Sequence, residues 1–278
     1  MAAPAPPPLT YEQTSKVLAR LADLGEQIVL VGGQALNFWA NYYCEKSSDL
    51  RVHAPFTSKD IDFFGSPQAV RECATRLGGR ATLATLDDMN TPNTGVVCFV
   101  DDDRHTRIID FLGNVAGLKD VAGIPAHVLD SNGTSIATFM VLDPMSCLRS
   151  RAHNVARLPG YQTPHALKQL RAAIICVREY GCDLLSQGNA NATNAVNEAV
   201  FSLARYGVGV EVFVKHNIDV LDALTTEPGL SAKFYSLRIP YATEAVMRAR
   251  QKALAGKAHA EAIRAKKQDK LHKPLRVR

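Results

Sequence analysis

Asp60-Ile61-Asp62 sets two carboxylates two residues apart, and a third, Asp110, stands between apolar neighbours in the run R-I-I-D-F-L at 107–112. If residues 59–64 form a strand, side chains i and i+2 leave the same face, so Asp60 and Asp62 emerge together while Ile61 turns inward. Adjacent anions repel, and burying them unpaired is costly. A divalent cation removes that penalty, and Mg²⁺ prefers a few hard carboxylate oxygens together with substrate phosphates. With strand 107–112 beside strand 59–64, Asp110 would face the pair and complete a two-ion site. One ion then grips phosphates and the other lowers the pKa of an attacking hydroxyl. Asp110 would serve as a second-ion ligand or as the base that takes the hydroxyl proton.

Val31-Gly32-Gly33-Gln34 supplies a phosphate cradle, because glycines at a strand-to-helix junction admit a phosphate close to the backbone. The helix N-terminus then directs free N–H groups and positive dipole at it. Gln34 belongs to this cradle. Ser58, two residues ahead of Asp60, is placed to hydrogen-bond a phosphate or the neighbouring carboxylate. Lys59 has the opposite strand parity from the aspartates. Arg149 and Arg151, on a basic stretch that runs to residue 157, are the candidate triphosphate contacts.

Hydrophobic-Gly-Gly, then S-x-D-I-D-hydrophobic, then hydrophobic-Asp-hydrophobic resembles the DNA polymerase β-type nucleotidyltransferase superfamily. V-G-G-Q-A-L followed by S-K-D-I-D-F-F is most similar to its AbiEii/AbiGii toxin-like branch. The likeness covers about residues 25–115. It implies a minimal nucleotidyltransferase sheet and Mg²⁺ dependence. It further implies transfer of a nucleoside monophosphate from a nucleoside triphosphate with release of pyrophosphate. The acceptor hydroxyl is left open between RNA, including a tRNA end, a protein side chain and a small molecule, and an antitoxin protein is a candidate partner. On that likeness Gly32 and Gly33 bind phosphate, Asp60 and Asp62 bind metal, and Asp110 completes the catalytic set. A catalytically idle nucleotide- or nucleic-acid-binding member of the same fold is the alternative. The branch's later lysine followed by an R-x-K-D helix motif has no K-D pair here; Lys168 and Arg171 stand in that region instead.

The elements that must position these residues read as an α/β (α+β) mixed sheet followed by helices. A helix is expected over 10–24, a buried strand over 27–31, a helix over 34–44 and a loop over 45–58. A helix follows from Ser66-Pro67 to residue 77. Strands are expected over 80–83, 95–100 and 107–112, with Asp101, Asp102 and Asp103 in the turn between the last two. A hairpin comes next, with strands 126–129 and 135–142. Helical patterns then fill 145–155, 164–185, 192–204 and 231–255. The expected division is a proline-rich arm at 1–8, a nucleotidyltransferase domain at 9–142, a helical domain at 143–255 and a basic tail at 256–278.

The 278 residues, 46% apolar and 21% charged, suit a soluble globular chain with a sizeable core. No run is long and apolar enough to span a bilayer, and the start lacks a secretory pattern. A cytoplasmic protein is expected. Six scattered cysteines with no C-x-x-C pair read as reduced thiols. Residues 248–278 hold eleven Lys/Arg against Glu261 and Asp269, a net of +9 where the whole chain carries +5. The body is therefore mildly acidic. Such a tail is either a solvated face or a contact for RNA or DNA phosphate.

Overall fold

The computed structural model describes residues 7–58, 60–88, 91–129 and 132–271, with side chains through residue 265. Its chain is mixed α/β: a seven-stranded mixed sheet with helices, then a largely helical region. In chain order the strands are β1 (Ile28–Val31), β2 (Ile61–Gly65), β3 (Arg80–Leu83), β4 (Asn93–Val100), β5 (Thr106–Leu112), β6 (Gly123–Leu129) and β7 (Ser135–Leu142). They lie in the order β3-β4-β5-β2-β1-β7-β6. The all-apolar β1 is buried along its whole length next to β2, the middle strand. The edge position of β6 accommodates Pro125, which has no N–H to donate.

The helices are α1 (Tyr11–Arg20), α2 (Gly32–Cys44), α3 (Ser48–Arg51), α4 (Pro67–Leu77), α5 (Pro144–Arg157), α6 (Pro164–Ser186), α7 (Ala190–Arg205), α8 (Val208–His216) and α9 (Ile239–Leu271). One local device starts three of them. Ser66, Asp143 and Thr163 each accept a hydrogen bond from an N–H in the first turn of α4, α5 and α6, and a proline follows each cap. The cap satisfies a free N–H and proline forgoes one, so these boundaries are written locally.

Several expected boundaries shift. The first helix stops at Arg20, and 22–27 is a tighter turn around Gly25, whose φ of 52° no regular helix holds. Helix α2 begins at Gly32 rather than at residue 34. The expected loop 45–58 contains α3, while α8 was not foreseen. Strand β2 begins at Ile61, so Asp60 sits in a bend just ahead of it; Lys59 lies outside the described residues. Helix α9 runs unbroken to Leu271 through the point where a tail was expected.

Element type changes at residue 143, but one buried core continues from the sheet and α2 into α5, α6, α7 and α8. Trp39 on α2 donates its indole N–H to the Leu142 carbonyl at 2.8 Å, pinning that helix to the end of β7. In the helical half, Asn197 and the Thr225 backbone exchange two buried hydrogen bonds of 3.0 and 2.9 Å. At the other end of the chain Leu9 N–H donates to Ser58 O, and buried Arg107 on β5 donates to Pro7 O. The arm is thus tied down from Pro7; residues 1–6 lie outside the described set. All six cysteines are free thiols. Among the described residues no helix is long and apolar enough to cross a membrane.

Candidate active site

Three neighbouring strands bring the candidate residues into one lateral row. Antiparallel β1 and β2 pair Val31 with Asp62, and parallel β2 and β5 pair Asp62 with Asp110. The same register sets Ile61 beside Ile109 and Phe63 beside Phe111, and all four are fully buried. Alternation then turns both aspartates to the opposite face. Adjacent strands lie about 4.8 Å apart, so the two carboxylates leave neighbouring backbones on the same side.

Strand β1 ends at Val31 and α2 starts at once, with no side-chain cap on its first turn. The nearest acceptor lies across the sheet, where the Gly33 N–H faces the Asp62 carboxylate and favours its charged form. That approach is close. Gly32 has φ +65°, and a Cβ placed there would stand 1.9 Å from Asp62 Oδ2. Gly33 faces Ser58 Oγ in the same manner, at 2.7 Å from its would-be Cβ, with Gln169 Nε2 at 3.5 Å. Both glycines are needed because the opening of α2 is pressed against Asp62 on one side and against Ser58 and Gln169 on the other.

Burial is the largest influence on Asp62 and pushes its carboxyl up to about 6; Arg151 pulls it down, Asp110 and Asp60 push it up, and the Gly33 N–H opposes the rise. Asp110 is raised too, by burial first and then by the charge of Asp60. Asn93 Nδ2 donates to Asp110 Oδ1 at 3.3 Å. Arg151, buried on α5, donates to Gln169 Oε1 at 3.1 Å. The cluster is a half-buried pair of like charges, with one arginine acting on Asp62, and it favours any further positive charge.

Not every expected residue joins it. Asp60 is exposed and precedes the strand, so the alternation that would align it with Asp62 does not apply. Among the described residues, Asp101, Asp103 and His105 bring one ligand atom each within 4.8 Å of one another. Asp60, Asp62 and Asp110 do not meet that spacing, so the expected tight convergence of three carboxylates reduces to a pair with Asp60 at its mouth. Gln34 is buried, and its amide is engaged by the Ser58 carbonyl at 3.4 Å and by Asn37 at 3.3 Å. It fastens the 58 loop rather than reaching a ligand. Arg149 shares a helix face with His153, which packs on Gly117, and that face is turned away from Arg151. Asn93 and Gln169 were not anticipated, since nothing local marks a polar residue that is brought in by tertiary packing.

The Asp101 turn is satisfied by protein donors. Its carboxylate accepts from Arg107 Nε at 2.6 Å and from the His105 N–H at 2.8 Å, and Asp103 accepts from Gln13 at 2.8 Å. Burial works to raise Asp101, but those two donors outweigh it and hold the carboxyl below its ordinary value. A half-exposed His105 completes the turn.

No protein-family model matches the chain. No curated protein matches it either. The functional reading therefore stands on the residues and their placement.

Proposed function

We propose that the chain is a Mg²⁺-dependent nucleotidyltransferase that moves a nucleoside monophosphate from a nucleoside triphosphate to a hydroxyl acceptor. The observation that carries the reading is the lateral row Val31–Asp62–Asp110, with α2 opening on two glycines at one end of it. The donor set fits a hard divalent cation: two neighbouring carboxylates, both short of positive charge, and a third at the mouth. Asp62, Asp110 and Asp60 would hold the ions, which when bound neutralise phosphate charge and make a hydroxyl more acidic.

The chain's own groups supply the remaining steps. The opening of α2 at Gly32 and Gly33 directs N–H groups and helix dipole toward a phosphate, and Ser58 Oγ stands beside it. Arg151, fixed by Gln169, adds positive charge near the scissile group. The acceptor oxygen attacks the α-phosphorus, and the bond to the bridging oxygen breaks. Its electron pair leaves with pyrophosphate. The hydroxyl proton passes to a carboxylate oxygen of Asp110.

The acceptor is RNA, including a tRNA end, or a protein side chain, with a small molecule as a third class. The AbiEii-like resemblance adds an antitoxin as partner. Exposed basic positions on α9 such as Arg248, Lys252 and Arg264 support contact with RNA or DNA phosphate. Arg250 is unavailable for that, being buried against Asp219 and stacked 4.1 Å from the Phe213 ring. A second reading, nucleotide or nucleic-acid binding without transfer, is favoured by the exposed position of Asp60. The discriminating experiment incubates purified protein with Mg²⁺, each α-labelled nucleoside triphosphate and cell RNA or protein, followed by mass spectrometry of the products. Label transfer abolished by Asp62→Ala and Asp110→Ala supports the enzyme; tight binding with no transfer supports the second reading.

A further inference from the structure

Beside the glycine cradle the structure holds a cavity of about 240 Å³ that the proposed chemistry leaves unused. It lies between α2, α6 and the loop ahead of Ser58, with Leu36, Ala172 and Phe56 as apolar walls and Asn37, Thr57 and Gln169 as polar ones. Two of these residues tie it to the aspartates. Thr57 is the chain neighbour of Ser58, whose Oγ stands where a Cβ on Gly33 would clash, and Gln169 accepts a hydrogen bond from Arg151. A group seated in the cavity therefore lies against the loop and the helix that flank the opening of α2.

Size and lining define the occupant. Sites that enclose a whole drug-sized ligand span roughly 300–1,000 Å³, so this cavity takes a single ring system and leaves the charged remainder outside. Leu36 and Ala172 are almost completely buried and form an apolar floor for a flat ring. Phe56 supplies an aromatic wall; with Asn37 Nδ2 donating to Gln34 and Gln169 Oε1 accepting from Arg151, the amides leave Asn37 Oδ1 as acceptor and Gln169 Nε2 as donor for a ring edge. Lys168 stands at the rim, where it donates to the Ala54 carbonyl at 3.2 Å, so positive charge lies outside the apolar part.

The geometry points to this cavity as the nucleobase subsite of the transferred nucleotide, with Phe56 as the stacking wall and Asn37 and Gln169 as the groups that read the base edge. The inference rests on the nucleotidyltransferase reading, because it supposes that the phosphates lie on the α2 opening. It is a binding claim and requires no turnover.

The test is calorimetric titration of the full chain, without metal, with adenosine, guanosine, cytidine, uridine and, separately, inorganic tripolyphosphate. The expected result is saturable binding of at least one nucleoside. Ala172→Leu, which fills the cavity, should weaken it, and so should Phe56→Ala by roughly 5- to 150-fold, the range for losing one base-on-aromatic contact. Circular dichroism shows which of the two variants is folded, and either one alone decides the matter. Nucleoside binding that survives both substitutions overturns the assignment, as does tripolyphosphate binding with no nucleoside binding. Cavity-dependent nucleoside binding by a protein that transfers no label leaves the subsite standing and removes only the enzyme reading.

Discussion

Gly32→Ala offers the sharpest probe of how the site is built, because two independent penalties fall on one methyl group. The first is conformational: at φ +65° an alanine carries a cost of about 1–2 kcal/mol. The second is contact. The new Cβ would lie 1.9 Å from Asp62 Oδ2 and 2.7 Å from its Cγ, closer than atoms can approach. Asp62 must rotate away from the Gly33 N–H that favours its charged form, an interaction worth about 1.5–3 kcal/mol. The expected loss is thus about 3–5 kcal/mol, read as a shift in urea midpoint at pH 7 with chelator present. In an Asp62→Ala background the Oδ2 and Cγ contacts vanish, and the same substitution should then cost only about 2 kcal/mol. The double-mutant cycle should show a coupling of at least about 1 kcal/mol. Additivity within about 0.5 kcal/mol, the behaviour of independent sites, would refute the claim that Gly32 is glycine because Asp62 is there.

Three further outcomes follow from the same geometry. A carboxyl raised from 3.8 to about 6 holds its proton more tightly folded than unfolded, so folding stability falls as pH rises through that window. Metal-free Asp62→Asn should therefore be more stable than the parent at pH 7, by about 2 kcal/mol out of the roughly 3 kcal/mol that the full shift represents; the gap should close below pH 4, as denaturation at several pH values will show. Mg²⁺ at about 100 times its dissociation constant should stabilise the parent by about 2.7 kcal/mol, and a thermal melt of Asp110→Asn should show much less of this gain. Asn197→Ala strips two buried hydrogen bonds from the Thr225 backbone and should cost about 2–4 kcal/mol in the helical half. Nucleotide binding by the folded fraction should be unchanged, which titration of that variant checks.

The parts of this fold that were legible in the chain are those whose cause is local. The uninterrupted I-V-L-V of β1, the acid-apolar alternation through 61–64 and 107–112, and the three capped helix starts ending in proline each carry their own signal. The lateral pairing of Asp62 with Asp110 was expected from their matching patterns and is present in the β2–β5 register. What escaped notice depends on distant partners. Gly32 opens the helix with its Cα pressed close to Asp62 on another strand, so the helix start could not be placed from residues 31–34 alone. Asp60 falls outside β2 because pairing begins only at Ile61 with β5 and at Asp62 with β1, a limit set by neighbouring strands. Arg151 acts on Asp62 while Arg149 leaves the opposite face of α5, since the packing of α5 against α6 selects the face. The reach of α9 past residue 255, by contrast, has a local cause: the alanine-rich run 251–267 reads as helical with one basic face, although the tail was divided off at 256.

The shared demand of Asp62 and Asp110 for a cation is best measured by electron paramagnetic resonance of Mn²⁺ titrated into the folded protein, with and without nucleoside triphosphate. Saturable Mn²⁺ binding should appear, tighten when nucleotide is added, and fall at least about tenfold in both Asp62→Asn and Asp110→Asn. Binding that is indifferent to either substitution, or that moves only when Asp101 or Asp103 is replaced, would contradict the placement of the reaction centre at the β2–β5 pair.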